Sequence, residues 1–313
     1  MVPFGHPMQI ASDAPETFRS SARRPSSLEL LRSAVNDILS RRRLIQYLVR
    51  AEIKKQGTDT VLGNIWWVLD PLISLLVYVF VMQVVFARDQ PDFGLFLLSA
   101  MIPFKWFTGT VSESTSSVIA QGLLIKQIQF PKIVLPVVTN GAGLVNLGFG
   151  MIVLGVVLIL NYRDHLTVLV LVVPFIAAIQ FVFMLALSMF LSALTVFYRD
   201  VGIVVGHLLR LLFYVAPILW TFNTANGRGE ILHEKLGDQG FEILRYNPIA
   251  VLSEAYRTAI YGRPSLNGKD WHPGTLAGID IPGLLWVLGF SVVLLILGTI
   301  VFKRVEPAFA KVL

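Results

Sequence analysis

The sequence predicts an all-α polytopic membrane protein with six transmembrane helices, an N-terminal amphipathic interface helix and short outer re-entrant or gate helices. Three observations carry that prediction. Of 313 residues, 55% are hydrophobic and 15% charged, and the mean hydropathy is +0.68, which is too apolar for a soluble chain of this size. Several apolar runs approach or exceed the roughly 18–20 residues that cross a bilayer as a helix. Lys and Arg cluster before the first span and recur in alternate connections, which places those connections and both termini on the cytoplasmic side.

Residues 1–25 mix Pro, Ser, Asp and Arg and are expected to be disordered. Residues 26–63 form the interface region. Ser26 and Glu29 have capping-box spacing. Leu28, Leu31, Val35, Ile38, Ile45 and Val49 then recur at helical spacing among Arg32, Arg41, Arg42, Arg43 and Arg50. Such a basic amphipathic helix is expected along the cytoplasmic membrane surface.

The membrane domain is predicted over 64–313. Span one covers 64–87, led by Trp66 and Trp67 at interfacial positions, with Asp70-Pro71 starting or kinking the helix. Span two, 95–119, carries Pro103, a Ser/Thr-rich second half, and the charged residues Lys105 and Glu113. Span three, 133–160, has Gly141, Gly143, Gly148 and Gly150 for close helix packing. Span four is 167–197, and Arg199 and Asp200 form a cytoplasmic link to span five, 201–222. A long outer loop, 223–282, contains an apolar helical stretch, 247–262, too short to span and read as re-entrant or surface-lying. Span six is 283–302, followed by the basic pair Lys303-Arg304.

Between spans two and three lies a short basic break, 121–136. Pro131 and Pro136 stop a helix from running through, and Lys126 and Lys132 place the turn on the cytoplasmic side. Phe130 offers an apolar anchor of the kind that dominates interfaces, so the turn is a candidate docking element.

Composition excludes several functions. Cys is absent, so there are no disulfides and no thiolate chemistry. No P-loop pattern grips nucleotide phosphates, no metal-spaced cluster occurs, and Asp164-His165 reads as solvated loop. The formal charge of +6 suits anionic lipid headgroups better than nucleic acid.

The ordered set LGNIWWVLDPL, FPKIVLP, FYRDVGIVV, YNPIAVLSEAYRTAIYG and FKRVEPAFAKVL resembles the permease subunit of ABC-2 type exporters, within that group those for O-antigen, capsular polysaccharide and teichoic acid. The resemblance covers roughly residues 48–313. The segment 223–244, the extended N-terminus and Lys105 depart from the family's pattern. The resemblance implies a homodimer with two cytoplasmic ATP-binding-cassette ATPases in the bacterial inner membrane. No cofactor is expected in this chain, with ATP and Mg on the partner subunit. The implied cargo is a lipid-linked cell-envelope glycan. Lys126, Phe130, Pro131 and Lys132 would couple to the ATPase, and Asn247, Pro248, Glu254, Tyr256 and Arg257 would belong to an outer gate. Phe104, Trp106 and Phe107 are candidates to line the transport path, with Lys105 meeting the pyrophosphate of the cargo. Two rival readings are a permease for a lipid or small amphiphile, and an integral-membrane glycosyl- or acyltransferase; the latter needs convergent carboxylates or His residues at one membrane face.

Overall fold

The structure, a computed structural model, describes residues 25–58, 62–85, 92–222, 228–264 and 271–313. The predicted disordered segment, apart from Pro25, lies outside the described residues, as does most of the loop after span one. Five helical stretches among the described residues are long and apolar enough to cross a membrane: Trp66–Val85, Phe93–Gln127, Val134–Asn161, Val168–Phe197 and Ile281–Phe309.

Helix α1 (Ser27–Ser40) starts at the expected capping box, with Ser26 and Glu29 bonded reciprocally. The interface region is two helices rather than one, because Arg41 leaves helical geometry before α2 (Arg42–Gly57) begins. Nor does α1 simply lie on a lipid surface. Leu30 and Ala34 pack inward against the last helix, α11 (Ile281–Val312), whereas Leu28, Val35 and Leu39 remain exposed on a neighbouring face. Helix α3 (Trp66–Val79) continues through a π-helical turn to Val85 and buries only Pro71.

Helix α4 (Phe93–Ala120) is the axis of the molecule, with residues on nearly all its faces buried. The short α5 (Gly122–Gln127) follows it. Helices α6 (Val134–Asn161) and α7 (Val173–Phe197) pack along α4, and α11 packs along α7. Two of the five glycines of α6 explain its close approach to α4. A Cβ at Gly150 would stand 2.7 Å from Ile102 Cγ2, and one at Gly143 would overlap Thr110. Gln180 of α7 donates to the Pro103 carbonyl at 2.8 Å, and Asn140 of α6 donates to Ser188 of α7 at 2.8 Å. Interhelical side-chain bonds of this kind hold helices together where burial against lipid gives no drive.

The fifth predicted span differs most from expectation. Helix α8 (Asp200–Val215) has 16 residues, about 24 Å of rise against a hydrocarbon core of about 30 Å. It stops because Ala216, in extended geometry, precedes Pro217 and is biased away from the helical region. The long loop then holds α9 (Arg228–Arg245), kinked at Gly237, and α10 (Pro248–Ile260). A two-residue antiparallel pair, β1 (Arg263–Pro264) with β2 (Trp271–His272), precedes α11. The turn at 128–133 and the α9–α10 region lie at opposite ends of α4; they are called here the turn end and the loop end.

Of Asp164 and His165, read as solvated loop, only Asp164 is exposed. His165 is buried, with Nδ1 2.8 Å from the Tyr261 carbonyl and Nε2 3.1 Å from Asp92. It ties the α6–α7 connection to the start of α4 and the end of α10.

Candidate functional site

A polar cleft opens between α2, α3, α4 and α6, at a level where the surrounding helices are apolar. Its volume is about 370 Å³, and Trp66, Trp67 and Trp106 contribute its aromatic walls. Lys105 reaches across it from α4 to α3, donating to the Asp70 carboxylate at 2.5 Å, the Asp70 carbonyl at 3.3 Å and Ser74 Oγ at 2.6 Å. Deeper along α4, Glu113 accepts from Gln56 Nε2 of α2 at 3.3 Å, and Asn146 of α6 donates to Gln56 Oε1 at 3.5 Å. The charges in the wall are thus paired or hydrogen-bonded, as an apolar surround demands. Two buried polar atoms on cleft-lining residues, Trp106 Nε1 and Asn146 Oδ1, have no hydrogen-bond partner among the described residues. One is a donor and one an acceptor, and both are enclosed by the surrounding side chains, so a hydroxylated ligand or water reaches them only when the cleft opens further.

The predicted path residues are only partly where expectation put them. Phe104, Trp106 and Phe107 are packed in the core rather than displayed along an open channel, at 6%, 4% and 2% exposure. Phe107 stacks on Phe183 with centroids 5.9 Å apart, and Phe104 meets Phe213 at 5.6 Å. Lys105 does line the cleft, but as half of an ion pair. Sequence reading took Asp70 for a helix-start signal and missed it as the partner, along with Gln56 and Asn146. The Ser/Thr-rich and charged character of span two was the available signal.

At the turn end, Phe130 is only 7% exposed, although it lines an open pocket with Ile125, Lys126, Gln129 and Lys132. It joins an apolar cluster with Val118, Ile125, Ile133, Phe302 and Phe309. On the turn segment itself, Leu123 and Ile128 are exposed, at 79% and 54%. Lys126 donates to the Leu313 carbonyl at 2.6 Å. The amide of Lys132, just after Pro131, donates to Glu306 Oε1 at 2.5 Å. Lys303 bridges Asp37 of α1 and Glu306, both at 2.7 Å. Arg199 and Asp200 are exposed between α7 and α8, and Asp200 sits in the first turn of α8, where a negative charge is favoured.

At the loop end, α10 is nearly enclosed by its neighbours, so the surface-lying alternative does not hold. Asn247 caps it by accepting from the Ile249 amide at 2.9 Å, and Pro248 opens its first turn. Tyr256 and Arg257 are buried. The expected pair forms, with Arg257 Nη1 2.8 Å from Glu254. Arg257 Nη2 also donates to the carbonyls of Pro217 and Ile218, at 2.6 and 3.1 Å, and the guanidinium lies 4.0 Å over the Phe96 ring. Arg257 therefore satisfies carbonyls beyond the break that ends α8. Burial lowers the pKa of Arg257 from its ordinary value, while Glu254 and Tyr261 act against that lowering; burial raises that of the Tyr256 phenol.

Residues 43–229 match the sequence model of the family described as ABC-2 type transporter. The chain is 31% identical over 232 residues to the O-antigen export system permease protein RfbA of Myxococcus xanthus, covering 72% of this chain and 84% of that protein. It is 26% identical over 271 residues to an O-antigen export system permease protein RfbA of Klebsiella pneumoniae, covering 86% of this chain and 95% of that one.

Proposed function

The chain belongs to the ABC-2 type transporter family, and from that premise we propose that it is the transmembrane permease of an exporter for a lipid-linked cell-envelope polysaccharide of the O-antigen class. The observation that carries the reading to a cargo is the tryptophan-lined cleft, with its paired charges and its two unpartnered polar atoms. Sugar rings pack their C–H faces on aromatic rings, and as the cleft opens to admit the cargo their hydroxyls accept from Trp106 Nε1 and donate to Asn146 Oδ1, both enclosed in this state.

Energy enters from a cytoplasmic ATP-binding-cassette ATPase that holds ATP and Mg²⁺. Two copies of this chain assemble with two ATPases in the bacterial inner membrane, with termini and turn end cytoplasmic. The turn 121–132 is the docking element. Lys126 and Lys132 orient it, Leu123 and Ile128 supply the apolar contact, and the Arg199-Asp200 link lies beside it. Helix α10 serves the outer gate.

The test is reconstitution of the permease with its ATPase and the host's lipid-linked glycan. Glycan should stimulate ATP hydrolysis and become accessible on the far side. Trp106→Phe keeps the ring but removes the donor; it should weaken stimulation about tenfold, or about 1.4 kcal/mol. Purification without an ATPase, together with no stimulation by glycan, would overturn the reading.

A further inference from the structure

A second cleft, of about 410 Å³, lies at the loop end between α9 and α10. That volume falls within the range of small-ligand sites, about 300–1,000 Å³. Its lining includes Phe222, Phe241, Arg245, Glu254, Thr258 and Asp280. All but Phe222 lie beyond residues 43–229, which match the family model, and α9 falls mostly within the segment that departs from the family's sequence pattern.

The groups have complementary chemistry. The Phe222 and Phe241 rings meet edge-to-face with centroids 5.6 Å apart, forming an apolar corner. Each carboxylate is held by one oxygen. Glu254 Oε1 takes Arg257, and Asp280 Oδ1 accepts from the Gly283 amide at 3.0 Å. The second oxygen of each is without a hydrogen bond among the described residues. Arg245 comes no closer than 3.7 Å to Glu242 and is half exposed, so its guanidinium donors are available. Aromatic edges, free carboxylate oxygens and an arginine fork together fit a polyhydroxylated ring. The charge balance selects among such rings. Arg257 in the wall pairs with Glu254, which leaves Asp280 against Arg245, a lining with no net formal charge and no surplus cation to draw an acidic sugar.

We propose that the α9–α10 cleft is a carbohydrate subsite for uncharged sugar rings, which takes the glycan as it emerges on the outer side. The location and role rest on the export reading above; the binding chemistry does not.

Trp220 stands edge-to-face on Phe222 at 4.9 Å and provides the reporter. The permease–ATPase complex in lipid nanodiscs would be titrated with mannotriose and with neutral oligosaccharides released from the host's envelope polysaccharide, using trigalacturonate as the acidic control. Expected is a saturable change in tryptophan fluorescence with at least one neutral probe, at least tenfold weaker binding for trigalacturonate, and loss of the signal in Trp220→Phe. Phe241→Ala and Arg245→Ala should each weaken binding at least fivefold. Both side chains are at least partly exposed, so complex yield should be unchanged. ATP hydrolysis with lipid-linked glycan would be measured on the same samples. Glycan-stimulated hydrolysis without neutral-sugar binding, or binding unaltered in both variants, would overturn the subsite alone. Sugar binding without any stimulation would support the subsite and overturn the export reading.

Discussion

A buried cation organises each end of this molecule, and the two do it differently. At the loop end, Arg257 is 2% exposed; its carboxylate partner is three residues away, and its other donors go to backbone carbonyls. At the turn end, Lys303 keeps about 10% exposure and is held by side chains, Asp37 from α1 and Glu306 from its own helix. The planar fork of arginine matches several fixed acceptors, whereas an ammonium acts as a point charge on a flexible stem. At the loop end, α10 and the chain just after α8 are thus held together as one unit. The turn end is a connection between elements that can separate without breaking any helix.

The comparison is tested most severely at Arg257. Arg257→Met should cost about 3–5 kcal/mol of folding stability, the scale for breaking a buried pair, because Glu254 and two carbonyls lose their donor. Thermal unfolding in detergent would read it. Arg257→Lys should recover little of the loss, since one ammonium cannot reproduce the fork. Full recovery by lysine would erase the contrast between the two ends. Phe130→Ala comes next, at about 3 kcal/mol or more for a phenylalanine removed from an apolar cluster. The same unfolding measurement applies, and a stability change under about 0.5 kcal/mol, as for a surface residue, would show that Phe130 is not a core residue. Lys303→Met should cost less, about 2 kcal/mol, because Asp37, 24% exposed, is partly relieved by solvent. Its particular signature is freed α1: faster proteolysis near Arg41 with the membrane helices intact, restored by Lys303→Arg.

What the sequence revealed follows the range of each interaction. The Ser26–Glu29 capping box and the Glu254–Arg257 pair join residues three apart on one helix, and both form as read. The spans are legible because bilayer thickness sets their length. The exception is α8, where the Ala216-Pro217 signal was present but its consequence was underweighted. The cleft was less legible. Lys105 and Asp70 are 35 residues apart, and Gln56 and Glu113 are 57 apart; hydropathy periodicity contains no term that pairs them. The burial of Phe130 was illegible for a related reason. A phenylalanine in a turn has the same local pattern whether it faces a partner or folds back, and α11, which covers it through Phe302 and Phe309, lies about 170 residues later.

If the turn docks the ATPase as proposed, its apolar contact falls to Leu123 and Ile128, where the smallest effect on folding is expected. Leu123 is 79% exposed and Ile128 54%. Leu123 lies in the first turn of α5 and Ile128 just past its end, on the segment that carries Lys126, so an apolar contact and a positive charge occur together. Substituting both by serine should change stability by no more than about 0.5 kcal/mol, as for surface positions in general. The same substitutions should weaken ATPase association by about 2 kcal/mol, roughly thirtyfold, if these side chains are interface hot spots. Phe130→Leu is the matched control: it retains an apolar side chain and leaves Leu123 and Ile128 in place, so association should fall only as far as the fold loosens. Co-purification with the ATPase and the ratio of glycan exported to ATP hydrolysed would separate the two. Normal association and coupling in the double serine variant would reject the turn as the docking element and leave it as a connection whose buried phenylalanine holds α4, α6 and α11 together.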